Sequence, residues 1–223
     1  MEKAEDITRL CIGCGKCLEA CPTMIDIPRM VQVLKDRMVK DKGLPWTKSI
    51  LYRHVLPHRE RLRQALAGAG VLPDFLTPFN KGGSLPRPAA APFHNYRPPR
   101  SPDAPLARVA FYAGCMMDLV QPEAARAVVS SLIQRGVEVV YPREEVCCGG
   151  PAIFDGDLEA GRMMARRNIA LLEQLDTDAI VVSCPSCSLV MKREYPDSLL
   201  VTSSGCQGPT PWQPGSGISL RTW

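Results

Sequence analysis

Hydrophobic and polar positions follow different periods in the two halves of this chain. Up to about residue 72, apolar residues recur every three or four positions, which is the spacing of one helix face. Beyond residue 106, short apolar runs at 108–113, 137–141 and 179–182 alternate with stretches of helical period. Strands that alternate with helices in this way predict a parallel sheet between helical layers.

Three helices are predicted in the first half. The first has Asp26 as its N-cap and ends at Gly43. The second and third cover about 46–56 and 58–67, because Pro57 breaks the helical path between them. An all-helical module of this size is too small for a large core. We therefore expect a bound metal group to supply much of its folding free energy.

Three further helices are predicted in the second half, at 122–135, at 157–175 and from 185 to about 194. The predicted fold class is α+β overall. A small all-helical module of the ferredoxin type is followed by a three-stranded parallel α/β domain.

Composition places the domain boundaries. Nine prolines lie between positions 73 and 105, and such a segment is extended and semi-rigid. The last stretch carries four glycines and three prolines, with no acidic residue and no hydrophobic period. We predict a helical module at 1–72, a proline-rich linker at 73–105, an α/β domain at 106–200 and a disordered or aberrant tail at 201–223.

Charge and hydropathy indicate where the protein resides, but they say little about its function. The net charge of +4 neither favours nor excludes an anionic partner, and we expect no nucleic-acid partner. The N-terminus lacks the apolar stretch of a signal peptide, and no run of about 18 apolar residues predicts a transmembrane segment. Ten cysteines kept as thiolates for metal suit a reducing cytoplasm better than a secreted disulfide scaffold.

One cysteine motif in the helical module is chemically specific. Cys11, Cys14, Cys17 and Cys21 stand at two-, two- and three-residue gaps, and Pro22 follows the last of them. This spacing matches the bacterial ferredoxin run that binds a cubane 4Fe–4S cluster. Structural zinc sites usually have two C-x2-C pairs set farther apart, and a disulfide set needs an oxidising compartment.

The fourth ligand of that cluster stays open. In two-cluster ferredoxins the fourth cysteine of each run binds the other cluster, yet this chain has a single run. Either Cys21 closes its own cluster, or another chain supplies the ligand, or an upstream half has been lost.

A second set of cysteines follows the predicted strands. Cys115 comes after the first strand, Cys147 and Cys148 after the second, and Cys184 and Cys187 after the third. The carboxyl ends of parallel strands form the edge where open α/β sheets place ligands. We expect a five-thiolate iron–sulfur site there. The alternatives are a thioredoxin-like redox pair at Cys184-Pro-Ser-Cys187 and a zinc site that uses four of the five.

These spacings resemble the cysteine-rich CCG domain. Thirty-one residues separate Cys115 from the pair Cys147-Cys148, which Gly149 follows, and thirty-four residues then precede Cys184-x-x-Cys187. A ferredoxin run, a proline-rich link and a CCG domain together are similar to the glycolate oxidase iron–sulfur subunit family and the related lactate utilisation protein A family. The heterodisulfide reductases also carry this domain.

The resemblance implies a set of ligands. The four cysteines of the ferredoxin run would bind a 4Fe–4S cluster. The five CCG cysteines would bind a second iron–sulfur cluster, which is non-cubane in the heterodisulfide reductase form, or zinc. The chain departs from this family in having one ferredoxin run and one CCG domain, where members usually have two of each. We hypothesise that it is a fragment with both ends incomplete, through a late start codon and a frameshift near Leu200.

The resemblance also implies a function as an electron-transfer subunit of an oxidoreductase complex. The chain would accept electrons from an FAD-containing dehydrogenase subunit that oxidises a 2-hydroxy acid, glycolate or lactate, and pass them to a quinone or another carrier. A further iron–sulfur or membrane-associated subunit is a second candidate partner. We expect a cytoplasmic location, or a peripheral one on the inner membrane face. Two alternatives stay open: a thiol/disulfide reductase that acts at the CCG site, and a zinc-binding module without redox chemistry.

Overall fold

The computed structural model describes residues 8, 10–71, 88–99, 104–200 and 219–222. The helices are α1 (Lys16–Glu19), α2 (Ile27–Lys42), α3 (Trp46–Ile50), α4 (Arg59–Val71), α5 (Gly114–Leu119), α6 (Pro122–Gln134), α7 (Gly150–Asp155), α8 (Leu158–Glu173) and α9 (Pro185–Leu200). A π-helical turn, Leu51–Val55, continues α3, and a 3₁₀ turn, Phe93–Asn95, precedes the sheet. The strands are β1 (Ala107–Tyr112), β2 (Val137–Val140), β3 (Ala179–Val182) and β4 (Ser219–Thr222).

The sheet has the order β2-β1-β3-β4, and every neighbouring pair in it is parallel. Val109 of β1 stands beside Val139 of β2 on one side and beside Ala179 of β3 on the other. The predicted α+β class and its parallel sheet of three strands are therefore confirmed.

β4 is an addition to that prediction. Ser219–Thr222 pairs with β3, although the tail carries no strand period. Hydrogen bonds along an exposed strand edge involve the backbone, so a segment can join that edge without a hydrophobic signature. Positions 201–218 and 223 of the predicted tail lie outside the described residues.

Successive side chains of β1 enter two different cores, because they point to opposite faces of the sheet. Val109 and Phe111 pack with residues of α6 and with Phe93, which comes from the predicted linker. Ala110 and Tyr112 pack on the other face with residues of α8, α9 and the helical module. The module contributes Tyr52, Leu56 and Leu62 to this second core. The two parts of the chain therefore share buried apolar surface.

The predicted helix boundaries agree with the structure where a cap marks them. The Asp26 carboxylate accepts a hydrogen bond from the backbone N–H of Arg29 at 3.0 Å, and α2 ends before Gly43, which has a φ of 74°. Asp157 caps α8 in the same way, through the backbone N–H of Ala160 at 3.1 Å. The helix after β3 runs past its predicted end and includes Pro196. α5 and α7 were not predicted, because neither has enough residues to show a helical period.

The described part of the predicted linker lies against the α/β domain. The backbone N–H of Ala89 donates to the carbonyl of Leu119 at 2.7 Å. Phe93 is 1% exposed, and its ring meets Phe111 and Tyr141 edge-on. Among the helices of the described residues, none has both the length and the apolar character needed to cross a bilayer.

Candidate iron–sulfur sites

The structure brings the five CCG cysteines together at the carboxyl edge of the sheet. Cys115 lies in α5 directly after β1, and the Sγ atoms of Cys115 and Cys147 are 4.0 Å apart. The thiol of Cys148 is close enough to those of Cys147 and Cys187 for both to affect its pKa. Cys187 affects the pKa of Cys184 in the same way. The sulfur atoms therefore form one connected chain, in which Cys147, Cys148 and Cys187 are buried and Cys115 and Cys184 are half-buried.

These contacts shift the thiol pKa values in opposite directions. Hydrogen bonds from Cys147 and Cys187 lower the pKa of Cys148, and the hydrogen bond from Cys187 lowers the pKa of Cys184 to about 6. The pKa values of Cys187, Cys115 and Cys147 are raised by their contacts with neighbouring thiols and by burial. Cys148 and Cys184 are therefore the two thiols whose surroundings favour the thiolate, which is the form in which cysteine binds metal.

Glycines leave space around these sulfur atoms. Gly114 has a φ of 65°, and a Cβ atom built on it would lie 3.1 Å from the Sγ of Cys187. Gly149 has a φ of 86°, and a Cβ atom there would lie 2.9 Å from the carbonyl oxygen of Gly161. Both positions combine a left-handed backbone with a close approach, so they are restricted to glycine. The chain therefore turns sharply beside the Cys147-Cys148 pair.

Asn168 fixes the loop that carries Cys147, and no sequence motif pointed to it. This residue of α8 is fully buried, and its side-chain oxygen accepts from the backbone N–H of Val146 at 2.9 Å. Its Nδ2 donates to the carbonyl of Cys147 and to the Tyr195 hydroxyl, both at 3.1 Å. The sequence did contain one indication of this role, because Asn168 is the single polar residue in the apolar stripe of its helix.

An ion-pair cluster from the helical module lies on the other side of the CCG cysteines. The Nε of Arg59 in α4 is 2.9 Å from Asp118, and its Nη2 is 3.2 Å from Glu145. The backbone N–H of Gly114 also donates to Glu145, at 3.0 Å. Burial raises the pKa of Glu145 to about 8, and the nearby Arg59 charge opposes that rise. None of these contacts was predicted from the sequence.

The cysteines of the ferredoxin-type loop are more exposed to solvent than those of the CCG site. Cys14 and Cys17 are exposed, whereas Cys11 and Cys21 are half-buried. Gly13 and Gly15 have φ values of 68° and 83°, so the loop curls as the motif requires. The Thr23 hydroxyl lies 3.1 Å from the Sγ of Cys21, and this hydrogen bond lowers the pKa of that thiol.

The donor set at both sites suits iron–sulfur clusters. Every candidate ligand is a thiol, and soft thiolate ligands favour iron–sulfur clusters as well as zinc and copper(I). Within the described residues, no three His, Cys, Asp or Glu side chains are arranged to hold one metal ion. Glycines with left-handed backbones keep Cβ atoms away from Cys187 at one site and from the loop interior at the other. The residues present therefore fit the clusters that the motifs predict.

Two family models match the chain. The 4Fe-4S binding domain matches residues 5–25, which include the four cysteines of the ferredoxin run. The cysteine-rich domain called CCG matches residues 109–192, which include the other five.

Several curated proteins are similar to this chain. A probable glycolate oxidase iron-sulfur subunit of Bacillus subtilis is 28% identical over 227 residues, which cover 90% of this chain and 50% of that protein. One of the subunits of a fumarate reductase (CoM/CoB) of Methanothermobacter marburgensis is 26% identical over 83% of this chain and 32% of its own length. Lactate utilization protein A of an Exiguobacterium species is 36% identical over 41% of this chain and 37% of its own length.

The chain thus spans half or less of the length of these curated relatives. No solved structure matches it.

Proposed function

This chain is a CCG-domain iron–sulfur protein that also carries a 4Fe-4S binding domain, and on that premise we propose that it transfers electrons between a flavoprotein and a further carrier. One observation supports this most directly. A surface loop with four cysteines and a largely buried site with five belong to parts of the chain that share one apolar core. Such an arrangement gives one site that a partner can reach and a second site that is protected from solvent.

We assign the ligands by site. Cys11, Cys14, Cys17 and Cys21 would hold a 4Fe–4S cluster, and Cys115, Cys147, Cys148, Cys184 and Cys187 would hold a second iron–sulfur cluster. When bound, such clusters supply one-electron steps, which a flavin that has been reduced by two electrons requires of its acceptor. The protein would supply the cysteine ligands and fix the distance between the two sites.

The flavoprotein would approach the ferredoxin-type loop. Cys14 and Cys17 are exposed there, and Leu10, Ile12 and Met24 around them are 81%, 70% and 69% exposed. An apolar surface beside an accessible redox site suits a partner that docks closely enough for electron transfer.

The names of two relatives indicate the chemistry of that partner. One is a probable glycolate oxidase iron-sulfur subunit and another is a lactate utilization protein. We infer an FAD-containing dehydrogenase that oxidises a 2-hydroxy acid, with a quinone or another carrier as the final acceptor. Because the hydroxy-acid chemistry takes place at the flavin, this chain needs no substrate pocket of its own. Its cysteine usage suits the reducing cytoplasm.

The thiol/disulfide reductase alternative would act through Cys184. Attack on a disulfide requires an accessible sulfur atom with thiolate character. Cys184 is half-buried and the hydrogen bond from Cys187 lowers its pKa to about 6, whereas Cys147, Cys148 and Cys187 are only 3%, 3% and 4% exposed.

The deciding experiment uses the chain prepared without oxygen and analysed for iron, acid-labile sulfide and zinc. We expect iron and sulfide, and we expect the visible absorbance to bleach when a flavoprotein and its substrate, glycolate or lactate, are added together. The variant Cys14→Ser should lose the bleaching that belongs to the first site. Stoichiometric zinc without sulfide would overturn the proposal. Reduction by dithionite, but not by the flavoprotein with either acid, would overturn the assignment of the partner.

A further inference from the structure

The ring of Phe154 lies between the two cysteine sites. A Cβ atom built on Gly13, inside the ferredoxin run, would lie 3.6 Å from Cε1 of this ring. A Cβ atom built on Gly150 would lie 3.5 Å from Cε2 of the same ring and 3.5 Å from the Sγ of Cys148. One edge of a single aromatic ring therefore faces the ferredoxin-type loop, and the other edge faces the backbone beside a CCG cysteine, each about one side-chain atom away.

Lys35 binds the backbone on both sides of the Phe154 ring, at the ferredoxin-type loop and at Phe154 itself. Its ammonium group donates one hydrogen bond to the carbonyl of Cys11 and another to the carbonyl of Phe154, each at 2.7 Å. One side chain of α2 thus connects the backbone of the first candidate ligand to the backbone of the residue that carries the ring.

The helices on either side of the ring are also in close contact. At Gly156, two residues beyond the ring, a Cβ atom would lie 2.7 Å from the backbone of Lys35, so α2 touches this turn directly. From α9, the Nη2 of Arg193 is 3.5 Å from the Asp26 carboxylate. Cys187 lies in the first turn of that same helix. α9 therefore extends from one site to the other.

We propose that Phe154 is the positioning residue for electron exchange between the two sites, and that a route for the electron runs from the Gly13 loop through its ring to Gly150 and Cys148. This inference rests on the proposed function. In each event one site loses one electron and the other gains it, with no proton or group transferred. Tunnelling slows steeply with distance and with unfilled gaps. A ring that lies between the two loops shortens the gap that an electron must cross.

The sequence offers a matched control. Phe93 is a second phenylalanine, 1% exposed, but it packs in the core on the opposite face of the sheet, with Phe111 and Tyr141. Phe93→Leu therefore makes the same chemical change away from the route. Phe154→Tyr keeps the ring in place, whereas Phe154→Leu keeps only an apolar side chain.

The experiment follows exchange between the sites without any flavoprotein. Each variant is loaded with iron and sulfide and checked for full iron content and for the EPR signal of each site. It is then reduced by less than one electron equivalent with a photochemical donor and freeze-quenched over time. We expect Phe154→Leu to slow the redistribution between the two EPR signals by about tenfold or more, because reaction rates are sensitive to small displacements of the reacting groups. Phe93→Leu and Phe154→Tyr should keep rates close to that of the unchanged chain.

Two results would overturn the proposal. In one, Phe154→Leu redistributes electrons as fast as the unchanged chain. In the other, Phe93→Leu or Phe154→Tyr slows the redistribution as much as Phe154→Leu does, which would show a general effect on folding or packing. Because the reductant is chemical, a failure of the flavoprotein experiment leaves this test intact, and the two proposals can fail separately.

Discussion

The guanidinium of Arg59 lies 2.9 Å from the carboxylate of Asp118, and this contact joins the helical module to the CCG domain at the edge of the cysteine site. Both acidic side chains that Arg59 meets, Asp118 and Glu145, are 1% exposed. Nη1 of the arginine also donates to the backbone carbonyl of Arg143 at 2.7 Å. A single side chain of α4 thus pairs with the buried Asp118 carboxylate, contacts the Glu145 carboxyl group and binds the segment that leads to Cys147.

Removal of that charge should destabilise the protein strongly. Arg59→Met keeps most of the apolar length of the side chain but leaves Asp118 buried without this cation and Glu145 without one of its hydrogen-bond donors. Breaking a buried ion pair on one side costs about 3–5 kcal/mol. Urea unfolding followed by circular dichroism measures the change in the free energy of unfolding.

Arg61→Met is the matched control for this change. Arg61 is an exposed residue of the same helix, and its Nη1 donates to the carbonyl of His54 at 3.1 Å. A change at such a surface site should stay within about 0.5 kcal/mol. Equal losses in Arg59→Met and Arg61→Met would show that the buried cluster contributes no special stability.

Local signals in the sequence predicted the elements, whereas the contacts between distant elements were beyond its reach. The N-cap of α2 at Asp26 and the apolar run of β3 are properties of a few adjacent residues, and both were predicted correctly. The partners of Arg59 are 59 and 86 positions away, and no local period encodes such a separation. In the same way, the position of Phe154 between the two cysteine sites depends on how α2 packs against α7, which no local pattern encodes.

The cysteine sites were more predictable than the residues that support them. Ligand spacing and the topology of a parallel sheet together place Cys115, Cys147 and Cys184 at one edge, because the carboxyl ends of parallel strands coincide there. Asn168 makes no such pattern with the cysteines. It could be suspected only as a polar residue on a helix face that is otherwise apolar.

Replacement of Asn168 should destabilise the cysteine loop itself. Asn168→Leu retains the size of the side chain and removes the acceptor for the Val146 N–H and the donor for the Cys147 carbonyl. Each buried polar group left without a partner costs about 1–3 kcal/mol. We expect a lower thermal midpoint and less iron at the CCG site.

Asn95→Leu makes the same change at an exposed residue in the 3₁₀ turn and provides the control. It should alter neither the midpoint nor the iron content. If Asn168→Leu binds iron and unfolds as Asn95→Leu does, Asn168 does not support the site.

Cys148→Ser tests whether all five CCG cysteines bind the second cluster. The adjacent cysteines Cys147 and Cys148 both contact other thiols, since Cys147 meets Cys115 and Cys148 meets Cys187. A hydroxyl cannot replace a thiolate as a soft ligand. Cys148→Ser should therefore lose the iron and the EPR signal of this site and keep those of the ferredoxin-type site.

Two variants complete this comparison. Cys14→Ser should have the opposite effect, with loss at the first site alone. Cys206→Ser changes a cysteine that belongs to neither motif and should retain all the iron. Full iron and an unchanged spectrum in Cys148→Ser would exclude the assignment of five ligands.

Gly156→Ala tests how tightly α2 must lie against the CCG domain. Gly156 has a φ of 96°, and the added Cβ would lie 2.7 Å from both the carbonyl carbon and the carbonyl oxygen of Lys35. Gly43 also has a positive φ, of 74°, although its ψ of 169° differs from that of Gly156, and a Cβ there would meet nothing within 4 Å. The pair of variants separates the backbone strain from the close approach.

Backbone strain at a positive φ alone predicts a loss of about 1–3 kcal/mol in each alanine variant. Gly156→Ala should lose about 1–3 kcal/mol more, because overpacking forces α2 away from the turn. Denaturant midpoints with unchanged slopes would measure both losses. A displaced α2 would also pull Lys35 away from the carbonyls of Cys11 and Phe154, so exchange between the two sites should slow in Gly156→Ala but not in Gly43→Ala. Equal stability and equal exchange rates in the two variants would mean that the contact between Lys35 and Gly156 does not hold the sites together.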